Sequence, residues 1–221
     1  MNINFNALNN TNYTHQTFGA RFVAKTKNML GGKEVNIDLF KLGYEDRNFL
    51  NNWLKSIDFS KLYPKLNQLA LERWSNILKY CITGTLNNKN ISYLAVCDNK
   101  PCGIVTYTPE DNGVYVDGIC SVPIESNKKV KFVGKTLFYQ VFIDANNAKS
   151  KEISLDAVNN GPFNVVDKYE TLGFKKDPTT QPYTKMICNK YKIADQLQNF
   201  SRDIFYESSN NVKVDLNQFL D

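Results

Sequence analysis

The chain has 221 residues, of which 42% are hydrophobic and 13% aromatic, enough for one domain with an ordinary core and extensions. The 27 basic and 22 acidic residues give a net charge of +5. This mild excess suits a phosphorylated ligand, but the basic residues are scattered and form no run longer than a pair such as Lys128-Lys129. Because a nucleic-acid surface concentrates its basic residues on one face, we expect no nucleic-acid partner.

The cysteine and histidine content argues against zinc sites and Cys-His nucleophiles. The five cysteines are an odd number with no C-x-x-C pair, and the one histidine, His15, lies in the polar N-terminal stretch. Most of the cysteines fall in or beside apolar runs, where a buried structural thiol is the usual role. We therefore expect no bound metal.

No targeting or membrane-spanning segment is predicted. The first twenty residues lack the basic and continuous apolar regions of a signal peptide, and no later segment approaches about 18 consecutive apolar residues. We expect a cytoplasmic protein without a membrane partner.

The first half of the chain predicts a strand, two helices and a meander. Residues 1–18 are rich in Asn and Thr and predict a flexible arm. Residues 34–42 alternate apolar and polar side chains, as a half-buried strand does. Apolar residues recur with helical spacing around Trp53 and again around Trp74, on either side of a break at residues 60–64. Three β-rich runs joined by tight turns then predict an antiparallel meander: ISYLAVC, CGIVTYT and GVYVDGICSV.

The second half predicts helices and strands in alternation. A helix is expected over 133–148 and a strand over 152–158, followed by a helix that begins with a proline and ends with a glycine (PFNVVDKYETLG) and by a last strand, YTKMICN. Beyond Lys190, apolar residues recur at spacings of four, three and four. They predict an amphipathic helix, which either packs back on the domain or binds a partner.

The order of these elements predicts an α/β fold with a mixed sheet. No linker between residues 34 and 190 is long enough to separate two domains. We expect a flexible N-terminal arm over 1–18, one domain over 19–190 and a C-terminal helical extension over 191–221.

The stretch KVKFVGKTLFYQ raises the question of a nucleotide-binding P-loop, because it contains Gly134-Lys135-Thr136. A P-loop also needs a glycine five residues before the second one, so that consecutive backbone N–H groups wrap the phosphates. Position 129 is a lysine, so a kinase or NTPase ranks behind the two hypotheses that follow.

The element order and two motifs resemble the GNAT superfamily of N-acetyltransferases over residues 34–190. That family opens its central helix with Gln or Arg, two residues, Gly, one residue and then Gly or Ala. Here these six places are taken by Lys131-Phe132-Val133-Gly134-Lys135-Thr136. The family's late motif Tyr-x-x-Leu-Gly-Phe is present unchanged as Tyr169-Glu170-Thr171-Leu172-Gly173-Phe174. The resemblance implies a central mixed sheet flanked by helices, to which the C-terminal amphipathic helix is an addition.

The resemblance also implies that acetyl-CoA is the cosubstrate and that its pyrophosphate binds the loop and helix start from Lys131 to Thr136. Elementary physics agrees, because the first N–H groups of a helix lack intrahelical partners and lie at the positive end of its dipole. Gly134 would let the backbone approach the phosphate, or would merely ease the turn into the helix. Thr136 would either crowd the phosphate or offer it a hydroxyl.

The strand before this loop resembles the family's fourth strand, which ends in an apolar-x-apolar-x-Pro pattern. Ile119, Ser121 and Pro123 take these places, which implies that the strand separates from its neighbour and that the backbone groups of Ile119 and Ser121 pair with the pantetheine arm. The family usually carries Asn seven residues before the motif tyrosine. That position is Pro162 here, so Asn160 just upstream is the candidate for this CoA contact.

Two side chains are candidates for proton transfer. Tyr169 stands where the family places its general acid, and a phenol can protonate the departing CoA thiolate. It is also a plausible core aromatic, and the two roles are compatible. Asp117 lies where many members carry Glu, and would act as a general base on the amine, but strand alternation could equally turn it to solvent.

Two hypotheses of different class remain. The first is transfer of an acetyl group from acetyl-CoA to an amine of a small molecule, peptide or protein. The alternative is a non-catalytic module on the same fold that binds CoA or a protein. The sequence does not identify the amine acceptor, and an oligomer is possible.

Overall fold

The structure of the chain, a computed structural model, describes residues 19–126, 128–158, 165–177, 183–203 and 206–220. The predicted arm over 1–18 and the candidate Asn160 lie outside these residues, so both stay predictions.

In the described residues, one sheet of nine strands is flanked by helices. The strands are β1 (Arg21–Leu30), β2 (Lys33–Lys41), β3 (Ile91–Cys97), β4 (Lys100–Glu110), β5 (Gly113–Ser121), β6 (Glu152–Val158), β7 (Lys175–Lys176), β8 (Tyr183–Asn189) and β9 (Tyr206–Lys213). The α-helices are α1 (Arg47–Ser56), α2 (Phe59–Leu62), α3 (Gln68–Thr85), α4 (Val133–Asn147), α5 (Val166–Thr171) and α6 (Lys190–Asp203). Short 3-10 helices lie at Tyr44–Asp46 and Leu216–Phe219.

The sheet is mixed. Its order is β7-β8-β6-β5-β4-β3-β2-β1-β9, with β5 and β6 parallel and the other neighbours antiparallel. The predicted meander is the run β3-β4-β5. The expected fold class, a central mixed sheet flanked by helices with an additional C-terminal amphipathic helix, is confirmed.

The sheet separates two apolar clusters. One lies on the α4 side and includes Leu137, Phe142 and Phe174. The other lies on the α1 and α3 side and includes Trp53 and Leu78. All five cysteines are free thiols and buried, as expected for structural thiols. None of the described helices has both the length and the apolar composition needed to cross a membrane.

Strand β1 is not predicted by alternation of apolar residues, because its buried face is formed by Ala24, Thr26 and Asn28. Two of these side chains are polar, so buried and exposed positions do not appear in the sequence as alternating apolar and polar residues. The available signal is the Gly31-Gly32 pair between β1 and β2, whose φ angles are +56° and +86°. Such positive φ values favour glycine in a tight hairpin.

The extension over 191–221 is only partly helical, which corrects the expectation of a helical segment. After α6, strand β9 pairs with β1, and a 3-10 helix follows. The division into arm, domain and extension stays a prediction.

Helix α6 packs on the domain, the first of its two predicted roles. Ile193 and Phe200 are each 1% exposed, and the Phe200 ring centroid lies 5.3 Å from that of Tyr139 and 5.4 Å from that of Phe142, edge to face. Edge-to-face pairs of this kind add to the free energy of burial.

We expect Phe200→Ala to lower the free energy of unfolding by about 3 kcal/mol or more, since it removes a buried ring and leaves a cavity. Tyr191→Ala on the same helix is the matched control, because Tyr191 is 72% exposed and its loss should cost less than about 1 kcal/mol. Urea unfolding of both variants measures the difference. Equal stabilities would mean that α6 does not depend on this contact.

Candidate functional site

The parallel ladder between β5 and β6 ends before either strand does. Its last pair is Val116 with Leu155, but residues 117–121 of β5 and 156–158 of β6 continue as strand. Beyond that pair, β5 stays bonded to β4 and β6 to β8. The two strands therefore separate and leave a wedge-shaped opening, called the cleft below, between residues 117–121 and 156–158.

Alternation along β5 turns the backbone groups of Ile119 and Ser121 into the cleft. The Val122 N–H donates to the carbonyl of Cys102 in β4 at 2.8 Å. Successive residues of an antiparallel strand point their N–H and C=O groups to opposite sides. Residues 119 and 121 therefore face away from β4 and towards β6, as the family resemblance implies.

The Ser121 carbonyl already has a partner within the chain. It accepts a hydrogen bond from the Tyr63 hydroxyl at 3.0 Å, and that hydroxyl accepts one from Trp74 Nε1 at 2.7 Å. Tyr63 follows α2 and Trp74 lies on α3, so this chain of hydrogen bonds fixes the end of β5 to the helical layer. The N–H and C=O of Ile119 are the backbone groups in the middle of the open edge.

Helix α4 begins at the end of the loop that leaves β5, and its first turn lacks a side-chain cap. Its N-cap residue Phe132 has a φ of +66° and a ψ of +11° and makes no capping hydrogen bond. The Thr136 N–H donates to the Phe132 carbonyl at 2.8 Å, so the N–H groups of residues 133–135 precede the helical ladder. A left-handed residue before a helical turn directs successive N–H groups to one side, an arrangement that favours an anion.

The residues that the structure describes do not require glycine at position 134. A Cβ at this position would meet none of their atoms within 4 Å, and the left-handed φ in this turn belongs to Phe132. The interpretation that Gly134 merely eases the turn is therefore not supported. The space above Gly134 is open to a ligand.

The side chain of Thr136 faces the sheet. It therefore neither crowds the space above Gly134 nor offers its hydroxyl to a phosphate there. It is fully buried, and Asn28 Nδ2 on β1 donates to its Oγ1 at 3.1 Å and to the Lys131 carbonyl at 3.0 Å. The Thr26 hydroxyl donates to Asn28 Oδ1 at 3.0 Å, and the Lys131 N–H donates to the Met29 carbonyl at 2.8 Å. The side chain of Thr136 thus secures the loop to β1, and these β1 residues are functional candidates that the sequence does not reveal.

Basic side chains surround the start of α4. Lys131 is exposed and Lys135 is half-buried, with its Nζ 5.4 Å from the centroid of the Phe200 ring. Burial lowers the pKa of Lys129, and the nearby Lys168 lowers it further. Val133 points inward instead and is 3% exposed, so only its N–H can serve a ligand.

Asp117 is the extra residue of a β-bulge. The register places Thr106 opposite Gly118 and Tyr107 opposite Val116, so Asp117 has no residue of its own opposite on β4. A bulge bends the strand and re-aims the side chain. The bulge lies one residue beyond the last β5–β6 pair, where the cleft opens.

The Asp117 carboxylate is half-buried and hydrogen-bonded, and does not simply face solvent. Its Oδ2 accepts from the Thr108 hydroxyl at 2.8 Å and from Asn90 Nδ2 at 3.4 Å. Burial raises the pKa of Asp117, and the hydrogen bond from Thr108 partly offsets this rise. A raised pKa makes the carboxylate a stronger base.

Tyr169 is a core aromatic residue. Its ring centroid lies 5.7 Å from that of Phe138 and 6.1 Å from that of Phe174. Burial, and secondly the Cys81 thiol, raise the pKa of Tyr169 to about 12. In the described part of the chain, the hydroxyl makes no hydrogen bond.

The Cys81 thiol lies beside β5, next to the candidate base Asp117. A Cβ at Gly118 would lie 2.8 Å from Cys81 Sγ, so this thiol abuts β5 at the cleft. Burial raises the pKa of Cys81, and Cys120 and Asp117 raise it further. Cys81 itself stays a neutral thiol at physiological pH.

The described residues contain no group of three or more His, Cys, Asp or Glu side chains placed to hold a metal ion.

No family model and no curated protein matches the chain. It is similar to the solved structure of PaiA N-acetyltransferase from Thermoplasma acidophilum in complex with coenzyme A, with 17% identity, 69% of this chain and 98% of that chain covered, and a TM-score of 0.48. The GNAT domain of S. lividans PAT is 10% identical, with 75% of this chain and 96% of that chain covered and a TM-score of 0.49. The IAA acetyltransferase from Bacillus cereus is also 10% identical, with 69% of this chain and 99% of that chain covered and a TM-score of 0.43. Identities this low do not carry an activity from those proteins to this chain.

We expect Asn28→Ala to loosen the loop before α4, because the Lys131 carbonyl and the Thr136 hydroxyl lose their donor. A buried polar group without a partner costs about 1 to 3 kcal/mol. Amide exchange should therefore become faster at residues 131–136, and the free energy of unfolding should fall by a similar amount. Asn36→Ala on β2 is the matched control, since Asn36 is exposed. Unchanged exchange in Asn28→Ala would show that the loop does not depend on the Asn28 side chain.

Proposed function

We propose that this chain transfers an acetyl group from acetyl-CoA to an amine of a small molecule, peptide or protein. The observation that carries the proposal is the end of the β5–β6 ladder at Val116, followed along the chain by a helix start without a side-chain cap. The first offers a strand edge to the amide groups of pantetheine. The second offers N–H groups to a pyrophosphate.

The pyrophosphate would lie over Gly134 and accept hydrogen bonds from the N–H groups of residues 133–135. A charge-assisted bond of this kind contributes about 1.5 to 3 kcal/mol. Three of them support micromolar affinity after the cost of ordering is subtracted. Lys131, an exposed residue three positions before Gly134, would supply positive charge beside this position, and the side chain of Thr136 secures the loop to β1.

The pantetheine arm would pair with the open edge of β5 as an added strand does. Ile119 is the central residue of that edge, while the Ser121 carbonyl is engaged by Tyr63 and leaves its N–H for the ligand. Main-chain pairing of this type supplies affinity and fixes the direction of the ligand. It would direct the thioester along the cleft towards Asp117 and Tyr169.

In the reaction, the neutral amine attacks the thioester carbonyl carbon, and the C–N bond forms as the C–S bond breaks. An amine with a pKa near 10.4 is mostly protonated at pH 7, so a base is required. Asp117 would take the proton directly or through a water. The pKa shift of Asp117 is upward, which is the direction that favours this role.

Tyr169 would donate a hydrogen bond from its hydroxyl to the departing sulfur. Because the pKa of Tyr169 is raised to about 12, the hydroxyl stays protonated at physiological pH. Full proton transfer to a thiolate with a pKa near 8.5 is uphill by about 3.5 pK units, or about 5 kcal/mol. We therefore expect the hydroxyl to keep its proton and to stabilise the thiolate that forms as the C–S bond breaks, while the thiolate takes its proton from solvent.

We expect Gly134→Val to weaken CoA binding at least about 10-fold, a loss of about 1.4 kcal/mol or more. The side chain would enter the space where we propose that the phosphates bind, whereas the fold should be retained because a Cβ there meets no atom of the described residues within 4 Å. Asn146→Val, at the exposed far end of α4, is the control. Isothermal titration with CoA and ATP measures the affinities. Unchanged CoA affinity in Gly134→Val, or binding of ATP and not CoA, would exclude this site.

We expect Tyr169→Phe to keep the fold and CoA affinity and to reduce turnover about 100- to 1000-fold, because only the hydroxyl is removed. The defect of Asp117→Asn should instead shrink as the pH rises towards the pKa of the amine, since the substrate then needs no base. Release of CoA thiol from saturating acetyl-CoA, with a panel of amines, measures both.

Tyr191→Phe and Asp98→Asn are matched controls for these two variants, since both side chains are exposed. Wild-type turnover in Tyr169→Phe and Asp117→Asn would exclude them from the chemistry. Binding of CoA without turnover on any amine would favour the non-catalytic module.

A further inference from the structure

We propose that a cavity at the C-terminal end of α4 binds a small organic ammonium ion, with the Asp144 carboxylate as its counter-ion. The proposal is independent of acetyl transfer. It concerns the opposite end of the helix whose first turn borders the cleft.

The cavity has a volume of about 420 Å³ and lies between the last turn of α4 and the ends of β3, β4 and β5. Its walls include Tyr93, Tyr107, Asp144 and Ala148. Helix α4 has 15 residues, which span about 22 Å. The cavity is therefore separate from the cleft, and a volume of this size suits a small molecule.

The Asp144 carboxylate is held in the cavity wall by three neutral donors. Its Oδ2 accepts from the hydroxyls of Tyr93 at 2.6 Å and Tyr107 at 2.7 Å, and its Oδ1 accepts from Gln140 Nε2 at 3.0 Å. The Tyr206 hydroxyl donates to Gln140 Oε1 at 2.6 Å, which orients the Gln140 amide with its NH₂ group towards Asp144. The carboxylate is thus fixed in place before any ligand binds.

Asp144 has no cationic partner among the residues that the structure describes. The pKa values of Tyr93 and Tyr107 are raised, first by burial and then by Asp144, so both hydroxyls stay neutral. Three neutral hydrogen bonds orient the negative charge without cancelling it. A half-buried carboxylate gains most from a cation that it can contact directly.

Two further features of the cavity favour a cation. The Tyr93 and Tyr107 side chains, whose rings are stacked with centroids 6.5 Å apart, line the cavity, and aromatic rings near a cation attract it. The last carbonyls of α4 lie at the negative end of its dipole.

The rim of the cavity carries both signs of charge. Lys41, Lys149 and Lys151 line it together with Glu110 and Asp111, and Lys151 is engaged by the Asn112 side chain at 2.8 Å. These lysines would repel a second cationic group on the ligand and attract a carboxylate. An amine alone, or an amine with a distant carboxylate, fits the cavity, whereas a lone carboxylate does not fit beside Asp144.

Titration of the full chain with hexylamine, 6-aminohexanoate and hexanoate tests the proposal by NMR of the tyrosine rings. We expect both amines, and not hexanoate, to shift the ring signals of Tyr93 and Tyr107 at millimolar concentration. Asp144→Asn should weaken this binding at least about 10-fold, equivalent to about 1.4 kcal/mol. The matched control Asp98→Asn should bind as the wild type does.

A second variant tests the proposal even if Asp144→Asn fails to fold. Ala148 is exposed and lines the cavity, so Ala148→Trp should fill the space without touching the Asp144 hydrogen bonds and should also abolish the shifts. Absence of shifts with either amine, equal shifts with hexanoate, or unchanged binding in Ala148→Trp would each overturn the proposal.

Discussion

A β-bulge at Asp117 is the feature on which the rest of the candidate site depends. It adds one residue to β5 directly after the last pair with β6, and an added residue bends a strand and breaks its ladder. The bend exposes backbone groups in the middle of a sheet, where an unpaired group costs about 1 to 3 kcal/mol if no water or ligand reaches it. A ligand with amide groups removes that cost.

Hydrogen bonds on both sides of the cleft fix the segments that border it. On one side, Tyr63 and Trp74 fix the Ser121 carbonyl to the α2–α3 layer. On the other side, Asn28 of β1 fixes the loop before α4 through the Lys131 carbonyl and the Thr136 hydroxyl. The bound ligand would therefore meet a preformed site, which lowers the entropic cost of binding.

Local patterns predicted much of this fold from the sequence. The helical spacing around Trp53 and Trp74 and the tight turns of the meander depend on neighbouring residues, and the structure has the corresponding helices and strands. Strand β1 was not predicted from the sequence because its buried face is mostly polar. That face is polar because Thr26 and Asn28 serve a loop more than 100 residues further along the chain, a relation that no local period encodes.

The site was predictable only in part, for the same reason. The glycine at 134 and the Tyr169 motif are local. The structure has Gly134 in the first turn of α4 and packs the Tyr169 ring against Phe138 of the same helix. The contacts of Ser121 with Tyr63 and of Asp144 with Tyr93 join residues 58 and 51 positions apart, so only the folded chain reveals them. Thr136 is the clearest example of what the sequence could not predict. Its place in the motif predicted a contact with the phosphate, but its side chain is buried against β1.

The most direct test of the acyl-CoA site is residue-resolved amide exchange at Ile119, in the middle of the open edge of β5. We expect saturating CoA to slow exchange of this amide markedly, because the pantetheine arm would pair with it, while ATP should leave it unchanged. The exposed Asn36 on β2 provides an internal reference far from the cleft in sequence. If CoA binds and the Ile119 amide exchanges as it does in the free chain, the ligand does not lie in the cleft.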